Sequence, residues 1–168
     1  MAQHEWIFVI DELADDAVDA VYETCDALVS RHGGLTLLTV TAEGGTAVEA
    51  AKAIITLLQQ ERQLIRVQRA YEDLVTKVNI ASRCHTTPQA VGQWVRGKRL
   101  RDFPFPERFS LTAGGIWLWG EVNDWLYRTG KQGNDIEYPH REDYVSINHW
   151  IHEERDCFVY SNYSVRSI

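Results

Sequence analysis

Within residues 86–101, TTPQAVGQWVRGKRLR, the side chains fall into two sets at helical spacing. Val91, Trp94 and Val95 recur at i, i+3 and i+4, which makes one stripe apolar and suited to burial. Thr87, Gln89, Ala90, Gln93 and Arg96 fall opposite that stripe, as small, amide and basic groups. An amide offers a donor beside an acceptor, the pattern that meets the major-groove edge of adenine. A guanidinium meets guanine or phosphate. Lys98, Arg99 and Arg101 follow at once, and with Arg96 they make a dense cationic cluster suited to phosphate oxygens. The chemistry implied is hydrogen-bonded reading of DNA base edges, anchored by charge.

Such a set works only on a short helix held firmly from behind. The stretch Asp73 to Gly97 predicts that support as a helix-turn-helix. Ile80 and Ala81 pack the first helix, and Ala81 is small enough for a tight crossing. Thr86-Thr87-Pro88 supplies a hydroxyl N-cap and a proline at the first helical position. Beyond it, Phe103-Pro104-Phe105-Pro106 forces an extended path. Phe109 to Leu111 and Ile116 to Trp119 flank Ala113-Gly114-Gly115, a pattern for a two-stranded wing. Trp117 and Trp119 alternate along that strand, so one is expected inward and the other more exposed. Glu121 to Tyr127 then predicts a short helix with Val122, Trp125 and Leu126 facing inward.

The segments IASRCHTTPQAVGQWVRG, FPFP and WLWGEVNDWL together resemble the winged helix-turn-helix of MerR-like regulators and AlpA/excisionase-type proteins. More closely, the chain is similar to small, largely actinobacterial DNA-binding proteins that place a short α/β domain before such a motif. The resemblance covers Asp73 to Tyr127, is loose over the first seventy residues and does not extend beyond Gly130. It implies that the wing, around Thr112 to Gly115, approaches the adjacent minor groove or backbone. One departure concerns the turn. His85 stands where the family usually has glycine, with Cys84 before it, which allows a wider turn there.

Composition bounds the remaining possibilities. The 168 residues hold one ordinary domain or two small ones. The net charge of −7 is unevenly spread. Residues 1–69 carry 5 Lys/Arg against 11 Asp/Glu, residues 70–129 carry 8 against 6, and residues 130–168 carry 4 against 7. The only positive third holds the motif, and local density is what phosphate feels. No apolar run is long enough to span a membrane, and the N-terminus lacks the pattern of a secretion signal. Cys25, Cys84 and Cys157 are far apart with no CxxC pair, so reduced thiols and a cytoplasmic setting are expected. Cys25 is expected in the core, on a helix stripe.

The first seventy residues predict β-α-β-α-β. Trp6 to Ile10 is a strand apolar on both faces. Asp15 and Asp16 favour a helix start, with Val18, Val21, Cys25, Leu28 and Val29 as its stripe and Gly33-Gly34 as its end. Leu35 to Thr41 is a strand, and Thr46 caps an alanine-rich helix. Ile65 to Arg69 alternates as a last strand. The fold class expected is α+β: a ferredoxin-like α/β layer (1–70), a winged helix-turn-helix (71–129) and a helical C-terminal extension (130–168). Arg69-Ala70-Tyr71 is a short junction, so the first two parts should pack together. In the extension, a helix from about His140 to Glu154 precedes a strand at Cys157 to Tyr160.

Other chemistries are weaker. His149 and His152 with Cys157 approach zinc-ligand spacing, but no fourth ligand is placed, so no metal is expected. Gly44-Gly45-Thr46 lacks the residues of a phosphate loop and fits a loop and cap. The carboxylate pairs Asp11/Glu12 and Asp15/Asp16 stand where helix electrostatics favour acids. No catalytic set or cofactor loop is recognisable, so neither an enzyme nor a cofactor is expected. The sequence therefore predicts a transcriptional regulator, a repressor or autoregulator, that binds a palindromic operator on double-stranded DNA as a homodimer. The N-terminal sheet edge or the tail helix around Tyr144, Ile147, Trp150 and Ile151 would join the protomers. Two alternatives remain: an excisionase-like factor that bends DNA, and a ligand- or protein-interaction module with a vestigial helix-turn-helix.

Overall fold

A computed structural model describes residues 1–62, 65–97, 102–131 and 133–164, the side chains of 61–62 and 156–164 excepted. The fold is α+β. Its first unit runs β1 (Ala2–Ile10), α1 (Asp15–Thr24), β2 (Ala27–His32), β3 (Leu35–Gly44), α2 (Ala47–Arg62) and β4 (Val67–Ala70). The four strands form one antiparallel sheet in the order β2-β3-β1-β4.

The order is therefore β-α-β-β-α-β, with one strand more than the sequence pattern predicts. Leu28 and Val29 belong to β2 and not to the first helix. The helix stops at Thr24, and Cys25 is its extended C-cap, so Cys25 flanks the core from the cap and is not on a helix stripe. Gly33 and Gly34 then join β2 to β3, with φ of 55° and 82°. Two successive positive φ values are what a tight hairpin turn of two residues demands. Every residue of β2 pairs, from Ala27 opposite Val40 to His32 opposite Leu35.

β1 is central because it is apolar on both faces. Trp6, Phe8 and Ile10 point to one face, opposite Val40, Leu38 and Thr36 of β3, and all six are buried. α1, α2 and the last helix cover this face. The other face carries Ile7, Leu37 and Thr39 half-buried and Leu28 exposed. Thr46 caps α2 as expected, its hydroxyl accepting the Glu49 N–H at 3.2 Å. A bulge between Val9 and Ile10 lets both Val67 and Ala70 of β4 face inward.

The second unit comprises β5 (Leu74–Val75), α3 (Lys77–Arg83), α4 (Pro88–Val95), a 3-10 turn (Thr112–Gly114), β6 (Trp117–Leu118) and α5 (Trp119–Arg128). β6 pairs antiparallel with β5. The wing is consequently smaller than expected: one bridge, Ser110 to Ile116, closes it around the 3-10 turn. Trp117 and Trp119 do not alternate in exposure, because α5 begins at Trp119. Both are buried, at 0% and 6% exposure.

The last helix, α6 (Arg141–Ser164), is continuous through the predicted strand at 157–160. No glycine or proline interrupts 141–164, so nothing in the sequence stops it. Its Tyr144, Ile147 and Ile151 are buried in the core of the first unit. The tail is thus part of that unit's core, and its apolar face is occupied within the chain. Among the described residues no helix is long and apolar enough to cross a membrane.

Candidate nucleic-acid interface

The two short helices at 77–95 are held by local chemistry at each end. Thr76 and Asn79 form a capping box at the start of α3. At its end, the Thr86 N–H donates to the Ala81 carbonyl at 2.9 Å and the His85 N–H to Ser82 at 3.3 Å. That pair of bonds is the Schellman arrangement, which places the residue after the cap in the left-handed region. His85 takes that place with φ of 49°. The turn therefore keeps the tight, glycine-like geometry despite the side chain. Thr87 then caps α4, its hydroxyl accepting the Ala90 N–H at 3.2 Å, with Pro88 at the first helical position.

Val91 fixes the back of α4 and is fully buried with Ile80, Ala81 and Cys84 of the α3 side. Burial pushes the Cys84 thiol up, so it is a core group and a poor nucleophile. Trp94 and Val95 are only half-buried. The Trp94 ring lies 5.8 Å from that of Trp125, with the Lys131 ammonium 5.2 Å above it. Phe105, from the FPFP segment, packs edge-on against Trp117 and Trp125 at 5.8 and 4.9 Å. The Trp125 indole N–H donates to the Phe103 carbonyl at 2.9 Å. An aromatic platform from 103–125 thus supports α4 from behind.

With its back fixed, α4 turns Thr87, Gln89, Gln93 and Arg96 to solvent, all exposed, with Ala90 half-buried among them. Gln89, Gln93 and Arg96 stand at i, i+4 and i+7 and share one face. Lys98, Arg99 and Arg101 lie outside the described residues. Residues 74–101 contain no Asp or Glu, so no acid of this segment neutralises Arg96 or the cluster after it. Arg83 is committed elsewhere: it forms a two-pronged bond to Asp73, at 2.7 and 2.9 Å, and lies 4.7 Å over Trp119.

The wing contributes a group that sequence reasoning passed over. Leu111 is 81% exposed at its tip. Around it stand Ser110 and Thr112, whose hydroxyls bond each other at 3.0 Å, then Ala113, Gly114 and Gly115. A large aliphatic side chain in so small and polar a tip was the available signal. Arg108 flanks the tip, its guanidinium 5.5 Å over Trp117.

His149 Nε2 lies 3.2 Å from the Glu153 carboxylate, one turn on, and the Cys157 side chain lies outside the described set. Among the described residues no three His, Cys, Asp or Glu side chains are grouped to hold a metal. Comparison with known proteins finds no family model, no curated protein and no solved structure that matches the chain.

Proposed function

We propose that this chain is a sequence-specific DNA-binding protein of the transcriptional-regulator class. In this reading, α3 and α4 are the helix-turn-helix of a winged domain and α4 lies in the major groove. Gln89 and Gln93 meet base edges, Arg96 meets guanine or phosphate, and Lys98, Arg99 and Arg101 hold the backbone. The observation that carries it is the exposed amide-and-guanidinium face of α4, packed from behind, in a stretch of 28 residues (74–101) free of acids. The β-α-β-β-α-β element order and four-stranded antiparallel sheet of the first unit support reading it as a ferredoxin-like layer. We read it as the dimerisation or partner-contact unit. One short helix reads few base pairs, so two copies on a palindromic site are expected. Of the two candidate pairing surfaces, the sheet edge and the tail helix, burial of the α6 apolar face favours the sheet edge.

Selection of binding sites from a random DNA pool tests this directly. A convergent, palindromic motif is expected. Pools that fail to converge, or that converge equally for the Gln89→Ala/Gln93→Ala variant, would overturn it.

A second reading, an architectural factor that bends DNA, is favoured by Leu111 alone. An apolar side chain at the tip of a narrow wing suits insertion between base steps in the minor groove. Bend angles from end-labelled duplexes separate the two: a large bend abolished in Leu111→Ser supports the architectural reading.

A further inference from the structure

The two edges of the four-stranded sheet are finished differently. At β4 the last helix closes the edge. The Asn148 side-chain oxygen Oδ1 accepts the outward N–H of Ala70 at 2.7 Å, and the Arg155 guanidinium donates to the carbonyls of Val67 and Gln68 at 3.1 and 2.6 Å. Beyond the end of β4, the backbone of Gln3 and Glu5 in β1 is bonded to Glu137. A further strand on this side would have to displace all of these bonds.

β2 carries no such closure. Its pairing with β3 runs without a bulge from Ala27 to His32, and it contains neither proline nor lysine, the usual guards of an edge. Its one arginine, Arg31, is drawn back to the Leu13 carbonyl at 2.9 Å. Along the strand the backbone groups alternate in direction. The Asp26 carbonyl accepts the Thr41 N–H, so Asp26, Leu28, Ser30 and His32 turn their groups to β3, and Ala27, Val29 and Arg31 turn theirs outward. The outward N–H of Val29 is lightly held by the exposed Tyr22 hydroxyl, at 3.3 Å. Among the described residues, the backbone of Ala27 and of Arg31 has no partner on that side.

The strand is also complementary to itself. Outward groups pair only with outward groups, and the antiparallel register that overlaps the whole strand is centred on Val29. That register sets Val29 against its own counterpart, Ala27 against Arg31 and Leu28 against Ser30. One place further out, the Asp26 carboxylate faces the His32 imidazole of the other copy, a donor for it, and no like charges stand opposite each other. Leu28 is 59% exposed on the face of the sheet opposite the helices. In the pair it comes within diagonal reach of the second Leu28.

We infer that β2 pairs antiparallel with β2 of a second copy of this chain, joining two four-stranded sheets into one continuous sheet. The pairing gives the outward backbone groups of Ala27, Val29 and Arg31 their partners and shields Leu28. The inference rests on reading the first unit as the pairing unit and not on DNA binding, and a test without DNA keeps the two apart.

Sedimentation equilibrium of the full chain, without DNA and at about 150 mM salt, reads the association. A monomer–dimer equilibrium is expected. Leu28→Lys, which puts a cation on the edge beside its own counterpart, should weaken it about tenfold or more. Asp26→Lys and His32→Asp should each weaken it about threefold or more, and the combined variant, with the facing charges exchanged, should return to within about twofold of the parent. All three side chains are exposed, so the variants should keep the fold, which circular dichroism checks. Amide exchange at Ala27, Val29 and Arg31 should be slower in the dimer than in the Leu28→Lys variant at the same concentration. A dimer untouched by Leu28→Lys, no recovery in the combined variant, or free exchange of those three amides in the dimer would each overturn the inference. So would a chain that stays monomeric at about 1 mM, its edge left to some other strand.

Discussion

Glu5, on the face of β1 opposite the helices, sits under conflicting influences. Burial raises its carboxyl above the ordinary range, Asp73 pushes the same way, and Arg83 pulls it back. The pull is incomplete because Arg83 is bonded to Asp73. A carboxyl raised on folding favours the folded state while it is protonated, and loses that contribution as pH rises through its folded value. Glu5→Gln should therefore raise the melting temperature at pH 7. The gain should disappear as pH falls below 4.5, the ordinary value, where Glu5 carries its proton anyway. A gain that persists at pH 3.5 would assign the effect to packing. At the proposed interface, Gln93 is exposed on the face shared with Gln89. Gln93→Ala should cost about 1–3 kcal/mol on the selected site, read by fluorescence anisotropy, and much less on scrambled DNA. Equal costs on both would remove its base-reading role.

At the scale of elements, three helices end alike. α3, α4 and α5 are each followed by a left-handed residue: His85 at φ 49°, Gly97 at 66° and Gly130 at 67°. Only the first carries a side chain. A non-glycine residue is strained there by roughly 1–2 kcal/mol, against which glycine loses about 0.5–1 kcal/mol of backbone entropy. His85→Gly should thus stabilise by about 0.5–1 kcal/mol in urea unfolding, and a drop in stability would show that the imidazole makes a compensating interaction. Of the helix ends, the N-cap at Thr87-Pro88 was legible in the sequence, since it acts through its nearest neighbours. β2 was not. Val18, Val21, Cys25, Leu28 and Val29 satisfy a helical period, and Gly33-Gly34 fits either a helix end or a hairpin. What decides is pairing with β3 along its whole length, an interaction between elements that no local pattern records. The wing failed for a related reason, because the backbone of Trp117 pairs with Val75, forty-two residues earlier in the chain. The α4 face, by contrast, was legible because amphipathic spacing alone separates its two sides.

Across the whole molecule, the chain closes on itself: α6 returns to the first unit and fills its core. Tyr144 meets Trp6 edge-on at 5.5 Å, and the Asn148 side-chain amide oxygen, Oδ1, accepts the Ala70 backbone N–H at 2.7 Å. Ile147→Ala should accordingly cost about 2–5 kcal/mol of unfolding free energy, the range for a buried aliphatic, and a cost under 1 kcal/mol would mean that the tail is not part of that core. This return also sets the electrostatics. The acidic first unit and acidic tail are gathered together, and the segment 74–101 is left as the basic part of a chain of net charge −7. Binding to DNA through it should therefore depend steeply on salt despite the total charge. Counterions leave only the phosphates that cations neutralise, and each such phosphate adds about −0.9 to the slope of log K against log salt. Arg96, Lys98, Arg99 and Arg101 offer three or four such pairings per protomer, so a dimer should show a slope on the order of −5 to −7. Lys98→Ala/Arg99→Ala should flatten it by about one unit for each phosphate left without its cation, up to about four per dimer. The preferred sequence should not change, because phosphate pairing positions a protein without reading bases. A slope that this double replacement leaves untouched would mean that the cluster after α4 faces away from DNA, and the proposed interface would lose its electrostatic support.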